Sequence, residues 1–198
     1  MVRVAIAGVA GKMGKTLVQG LTDEGRAPIY RELSLGAGFE RAGHAWVGED
    51  LGNLCGVGDL GIAVADSAAA VVNDFDVVID FTVPEATLAL AKTCQEHGRA
   101  MVIGTTGFTA EQLAQLHQVA EHIPVFVSPN MSVGVNLSMR LIELAAQALG
   151  DEVDVEVIEA HHRHKIDAPS GTAVRIGEIL AKALKRDLSE DAVYGRQG

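Results

Sequence analysis

Residues 159–173 read Glu-Ala-His-His-Arg-His-Lys-Ile-Asp-Ala-Pro-Ser-Gly-Thr-Ala, and this one segment holds three of the chain's seven histidines. Three chemistries draw on such a cluster. A zinc site needs three or four convergent nitrogen or sulfur ligands. In an extended segment His162 and His164 share one face and His161 points to the other, and no cysteine lies nearby. No metal site is expected. An anion site fits better, because Arg163 and Lys165 join the histidines just before a helix start. Ser170 is a good N-cap, Ala173, Ile176, Leu180 and Leu184 form an expected buried stripe, and the first-turn N–H groups of Gly171 and Thr172 are placed to meet a carboxylate. Proton transfer also fits: histidine titrates at about 6.5, and lysine at about 10.4 stays charged and can hold a developing anion or release a proton.

A second stretch, Ala5-Ile6-Ala7-Gly8-Val9-Ala10-Gly11-Lys12-Met13-Gly14, joins an apolar run to an amphipathic one. Read as a phosphate cradle, Gly8 makes the tight turn, Gly11 lets the backbone approach a pyrophosphate, and Gly14 lets helix and strand pack closely. Ala10 takes the middle glycine position of the usual pattern. About one strand later come Glu40, an acceptor for a ribose hydroxyl, and Arg41, a cation for a 2′-phosphate. A hydride donor at one site and an acid at the other make redox chemistry on a small carboxylic acid.

Positioning these groups is the work of an alternating chain. Strands are expected at Val2–Val9, over 30–40, at Gly61–Asp66, Phe75–Thr82, Ala100–Gly107 and Ile123–Asn130, with a loop over 41–60. Helices are expected over 12–25, with Met13, Leu17 and Leu21 on one face, over 84–98 between Pro84 and Gly98, and over 109–122 behind a Thr109 cap. Repeated βα units predict a Rossmann-like doubly wound parallel sheet. Near residue 131 the pattern changes to a long helix over 133–149. A strictly alternating segment, 151–162, follows it and marks a strand of an open mixed sheet. We therefore expect a dinucleotide-binding domain over 1–130 and a second α+β domain, for substrate and oligomerisation, over 131–198.

Composition agrees. Of 198 residues, 48% are hydrophobic, so a sizeable core can form, and 22 glycines beside only 4% aromatics suit close helix–strand packing. A net charge of −10 argues against a nucleic-acid surface and requires a local positive pocket for a small anionic substrate. Cys55 and Cys94 stand apart, as reduced cytoplasmic thiols do, and no apolar run is long enough to span a membrane.

The histidine segment, with Ala5–Gly14, Phe75–Thr82, Met101–Phe108 and Asn130–Asn136 in the same order, resembles the dihydrodipicolinate (4-hydroxy-tetrahydrodipicolinate) reductase family over essentially the whole chain. The resemblance implies reduction of a cyclic, unsaturated imine dicarboxylate by NADH or NADPH in diaminopimelate and lysine biosynthesis. It implies His161 as proton donor and acceptor and Lys165 as second proton donor. His162, Ser170, Gly171, Thr172 and Thr106 then bind the substrate carboxylates. Gly8, Val9, Ala10, Gly11, Lys12 and Met13, with Glu40 and Arg41, form the cofactor cradle. Gly104, Thr105, Thr106, Ser128, Pro129, Asn130 and Met131 wall the nicotinamide. The family pattern runs on past Gly198 into strands that build a homotetramer, so the second domain is expected to be incomplete and a 198-residue product poorly stable. A related amino-acid or keto-acid dehydrogenase would not need the basic run before Pro-Ser-Gly-Thr, and a nucleotide-sensing fragment would bind NADH without turnover. Glu40 beside Arg41 predicts NADH and NADPH affinities within about a hundredfold of each other. Parallel titrations check this, and a wider gap would remove the dual-cofactor reading.

Overall fold

The computed structural model describes residues 1–25, 27–161, 163 and 168–195. The chain forms two compact units, Met1–Pro129 and Asn130–Gly198.

The first unit is built on five parallel strands: β1 (Val2–Ala7), β2 (Leu33–Phe39), β3 (Val77–Asp80), β4 (Ala100–Ile103) and β5 (Val125–Val127). Their order in the sheet is β2-β1-β3-β4-β5. Alternation along the strands feeds two cores. Val4 and Ile6 of β1 face α1 (Lys12–Thr22) and α2 (Leu51–Cys55), where Val18, Leu51 and Cys55 are buried. Ala5 and Ala7 face the other side, with Phe75, Val78, Leu90, Cys94 and Leu116 under α3 (Pro84–His97) and α4 (Ala110–Ala120). The expected doubly wound sheet is therefore present, buried on both faces.

Helix punctuation follows local chemistry. Pro84 opens α3, and Gly98 closes it at φ +64°. The Thr109 hydroxyl accepts from the Gln112 N–H while the Gln112 side chain accepts from the Thr109 N–H, a reciprocal cap on α4. Asp50 caps α2, a short helix inside the stretch expected to be loop.

Four further expectations for the first unit change. Residues 61–66 form no strand, because they bridge once to Phe39 in parallel and once to Asp50 in antiparallel sense, and no ladder propagates. Residues 28–32 make a 3-10 turn before β2 begins. β5, read from Ile123–Asn130 as a last buried strand, is an edge strand with Phe126 58% exposed. Met13 lies outside the buried face of α1, which Gly14 and Val18 provide.

The second unit holds α5 (Val133–Leu149), α6 (Gly171–Ala183) and α7 (Leu188–Asp191), and α5 packs against α6. The stripe Ala173, Ile176, Leu180 and Leu184 is half-buried rather than buried. Residues 153–160 keep their alternating sequence but meet no partner strand among the described residues, so no ladder forms. No described helix is long and apolar enough to cross a membrane.

At the amino end of the sheet Arg3 clamps Asp76 across β1 and β3. Its Nη2 and Nε donate to the two carboxylate oxygens at 2.7 and 3.3 Å, and its backbone N–H adds a third bond at 2.9 Å. The Arg3 side chain, then its backbone N–H, pulls the Asp76 pKa down to about 2. A depressed carboxylate stabilises the fold above its unfolded pKa, and that contribution disappears as pH falls through the folded value. Asp76→Asn is expected to lower the urea midpoint by a constant amount above about pH 5, the gap to wild type closing between about pH 4 and pH 2. A gap independent of pH would refute the clamp's ionic origin.

Candidate active site

Each parallel strand delivers its carboxyl end to the same edge of the sheet. In sheet order that edge carries Glu40 and Arg41 after β2, Gly8 to Met13 after β1, Phe81 and Thr82 after β3, Gly104 to Thr106 after β4, and Ser128 and Pro129 after β5. At the usual strand spacing the row spans roughly 19 Å. The order reverses between β1 and β3, the crevice where open α/β sheets hold ligands.

The first turn is built for close approach. Gly8 has φ +67°, and its N–H bonds the Phe39 carbonyl at 3.0 Å. The Gly11 N–H returns to the Gly8 carbonyl at 3.0 Å. A Cβ on Gly14 would collide with the Gly8 carbonyl oxygen and stand 2.7 Å from the Val9 Cα, so only glycine lets α1 start this near β1. Gly11 supplies no side-chain cap to α1, which leaves the first-turn N–H groups of Lys12 and Met13 facing outward from an exposed helix start. Val9 is buried in the core beneath. Glu40 Oε1 accepts from the Ala10 N–H at 2.9 Å, so the carboxylate at the end of β2 is also fastened to the turn. Arg41 is exposed beside it. These are the features a dinucleotide requires: a tight glycine turn, an uncapped helix start and an acidic residue at the end of the second strand.

Across the crevice, the Gly104 N–H bonds the Asp80 carbonyl at 2.8 Å, Thr105 is buried at 4% exposure and Thr106 is exposed. The Ser128 N–H continues the ladder to Ile103 at 3.0 Å, and Pro129 ends the first unit. Asn130 and Met131 open the second unit. There Asn130 Oδ1 accepts from the Ser132 N–H, the α5 cap, at 2.9 Å, and its carbonyl accepts from Asn136 Nδ2 at 2.9 Å.

The histidine segment belongs to the second unit. His161 is 40% exposed, with Nδ1 3.3 Å from Glu159 Oε2. The other Glu159 oxygen accepts from the Ser170 N–H at 2.7 Å. Ser170 is nearly buried and caps α6, its hydroxyl accepting from the Ala173 N–H at 3.1 Å. Gly171 and Thr172 are exposed in the first turn, and Thr172 lines a cleft with Ser132, Val135, Met139, Ile142 and Ile176. His162, His164 and Lys165 lie outside the described residues.

Two acidic residues escaped the sequence reading. Glu159 joins His161 to the start of α6, and its signal was its place two residues before the histidine. Asp80 closes an apolar strand and is fully buried, and an acid ending such a run is itself a signal.

Comparison with known proteins agrees with this geometry. The family model described as dihydrodipicolinate reductase, N-terminus, matches residues 2–131, and the one described as dihydrodipicolinate reductase, C-terminus, matches 134–196. The chain belongs to this family. A 4-hydroxy-tetrahydrodipicolinate reductase of Chromohalobacter salexigens is 55% identical over 199 residues, covering 100% of this chain and 72% of the relative. One of Hahella chejuensis is 52% identical over 198 residues, with coverage of 100% and 72%. A solved dipicolinate-bound dihydrodipicolinate reductase from Paenisporosarcina sp. TG-14 superposes with a TM-score of 0.73 at 30% identity, covering 100% of this chain and 71% of that one. The chain is thus an NAD(P)H-dependent oxidoreductase, with NADH or NADPH as its cofactor.

Gly14→Ala forces a methyl between α1 and the turn, a strain of about 1–3 kcal/mol. It is expected to lower the melting temperature and weaken NADH binding by about tenfold or more. Unchanged NADH affinity would show that the turn does not hold the cofactor.

Proposed function

We propose that His161 is the proton donor and acceptor, and Lys165 the second proton donor, in the NAD(P)H-dependent reduction of 4-hydroxy-tetrahydrodipicolinate to tetrahydrodipicolinate. When bound, the reduced nicotinamide supplies a hydride to the substrate's conjugated imine system. The negative charge that develops there needs a positioned acid. The observation that carries the assignment is the Glu159 bridge, one oxygen at His161 Nδ1 and the other on the Ser170 N–H. It orients the imidazole so that Nε2 is the atom offered to substrate. It also ties the histidine to the helix start where a carboxylate would sit.

In this reading His162, Ser170, Gly171 and Thr172 bind the substrate carboxylates. The exposed first-turn N–H groups of α6 support that role. Dipicolinate, the ligand named for the Paenisporosarcina enzyme, is a dicarboxylate of the same class. Gly8, Val9, Ala10, Gly11, Lys12 and Met13 hold the pyrophosphate, Glu40 and Arg41 the adenosine ribose. Gly104, Thr105, Thr106, Ser128 and Pro129 face the nicotinamide. Residues 1–130 serve the cofactor and 131–198 the substrate and self-association. Exposed Leu137, Leu141 and Leu144 along α5 support a homotetramer, and two buried free thiols, Cys55 and Cys94, fit the cytoplasm.

With substrate generated from pyruvate and aspartate semialdehyde, and cofactor oxidation followed by absorbance, His161→Gln is expected to lower kcat by about a hundredfold or more. NADH affinity should stay at the wild-type value. Unchanged turnover would remove His161 from the reaction.

A further inference from the structure

Asp80 is an anomaly for a structural residue. It ends β3 at the point where strand order reverses, and its side chain is 0% exposed. Burying a carboxylate is costly unless both oxygens are satisfied. Oδ2 meets no hydrogen-bond partner among the described residues. An apolar residue would serve the core better, so stability does not account for Asp80.

Its other oxygen organises the crevice. Oδ1 accepts from the Thr82 N–H at 2.9 Å and from the Thr82 hydroxyl at 2.6 Å. The Thr82 N–H is shared with Thr105 Oγ1 at 3.0 Å. Thr105 Oγ1 accepts in turn from the hydroxyl of Thr87, a fully buried residue on α3, at 3.0 Å. Asp80, Thr82, Thr105 and Thr87 therefore tie the loop after β3 to the loop after β4 and anchor both to α3. Packing reinforces the tie. The Phe81 ring lies on Gly104, where no Cβ would fit, and the Thr82 methyl lies 2.9 Å from where a Cβ on Gly8 would stand.

We infer that Asp80 and Thr87 are positioning residues that, Asp80 through Thr82 and Thr87 through Thr105, preset the Gly104–Thr106 loop for the nicotinamide half of the cofactor. This rests on the reading above that places the nicotinamide at that loop. Gly8 keeps its conformation independently, through its own bonds to Phe39 and Gly11. Loosening the network thus disturbs the nicotinamide end and spares the pyrophosphate and adenosine end. A group that acted only on global stability would not separate the two.

The test compares NADH with ADP-ribose, which lacks the nicotinamide, by calorimetry on the full chain. Asp80→Leu, which removes the Oδ1 acceptor, and the near-isosteric Thr87→Val are each expected to weaken NADH by about tenfold, the loss of one buried hydrogen bond, and to leave ADP-ribose within about twofold. Thr87→Ser, which restores the hydroxyl, should recover NADH affinity. Equal weakening of both ligands, or wild-type NADH affinity in Thr87→Val, overturns the inference. Should Asp80→Leu fail to fold, Thr87→Val decides alone. Wild-type protein that binds NADH no tighter than ADP-ribose would instead overturn the placement of the nicotinamide, and the inference with it.

Discussion

Parallel pairing obliges the chain to cross back over the sheet after every strand. All five carboxyl ends therefore emerge along one edge, and all the crossovers bury the two faces. Everything proposed for the first unit depends on that constraint. Five loops far apart in sequence become neighbours in a row, and the reversal of strand order between β1 and β3 opens the crevice among them. The opposite edge is left to Arg3 and Asp76, whose clamp stabilises the sheet without touching the cofactor crevice.

A protein of net charge −10 has to bind an anionic cofactor against its own field. In the proposed reading it does so at the first turn, with backbone rather than with many cations. Glycine at residue 14 lets α1 begin directly on the strand, and an uncapped Gly11 leaves peptide N–H groups to face the ligand. The start of α6 is organised differently. Ser170 caps it, Glu159 receives the Ser170 N–H, and the exposed Gly171 and Thr172 stand just beyond. Both arrangements hold fixed dipoles in place before a ligand arrives, so little reorganisation is needed on binding.

Much of the fold was legible because its signals are local. Pro84, Gly98 and Thr109 mark helix ends through bonds made within a few residues, and the expected helices lie where those residues put them. The apolar run of β1 was legible for the same reason. Failures came where neighbours decide. Residues 61–66 look like a strand but are offered two partners of opposite sense, and β5 looks buried but lies at an edge. Met13 carries an apolar side chain on the helix, yet the close approach at Gly14 turns the inner face toward Gly14 and Val18.

The amino-acid sequence by itself determined the βα rhythm, the glycine turn, the acidic and basic pair at Glu40 and Arg41, and the histidine run with its helix cap. Each is a matter of residue type and spacing over a few positions. Tertiary structure alone decided that Glu40 holds the Ala10 N–H, that Glu159 spans His161 and Ser170, and that Asp80 anchors loops from two strands. Such bonds depend on which atoms meet after the chain has crossed the sheet or closed a loop, and spacing along the chain carries no record of those distances.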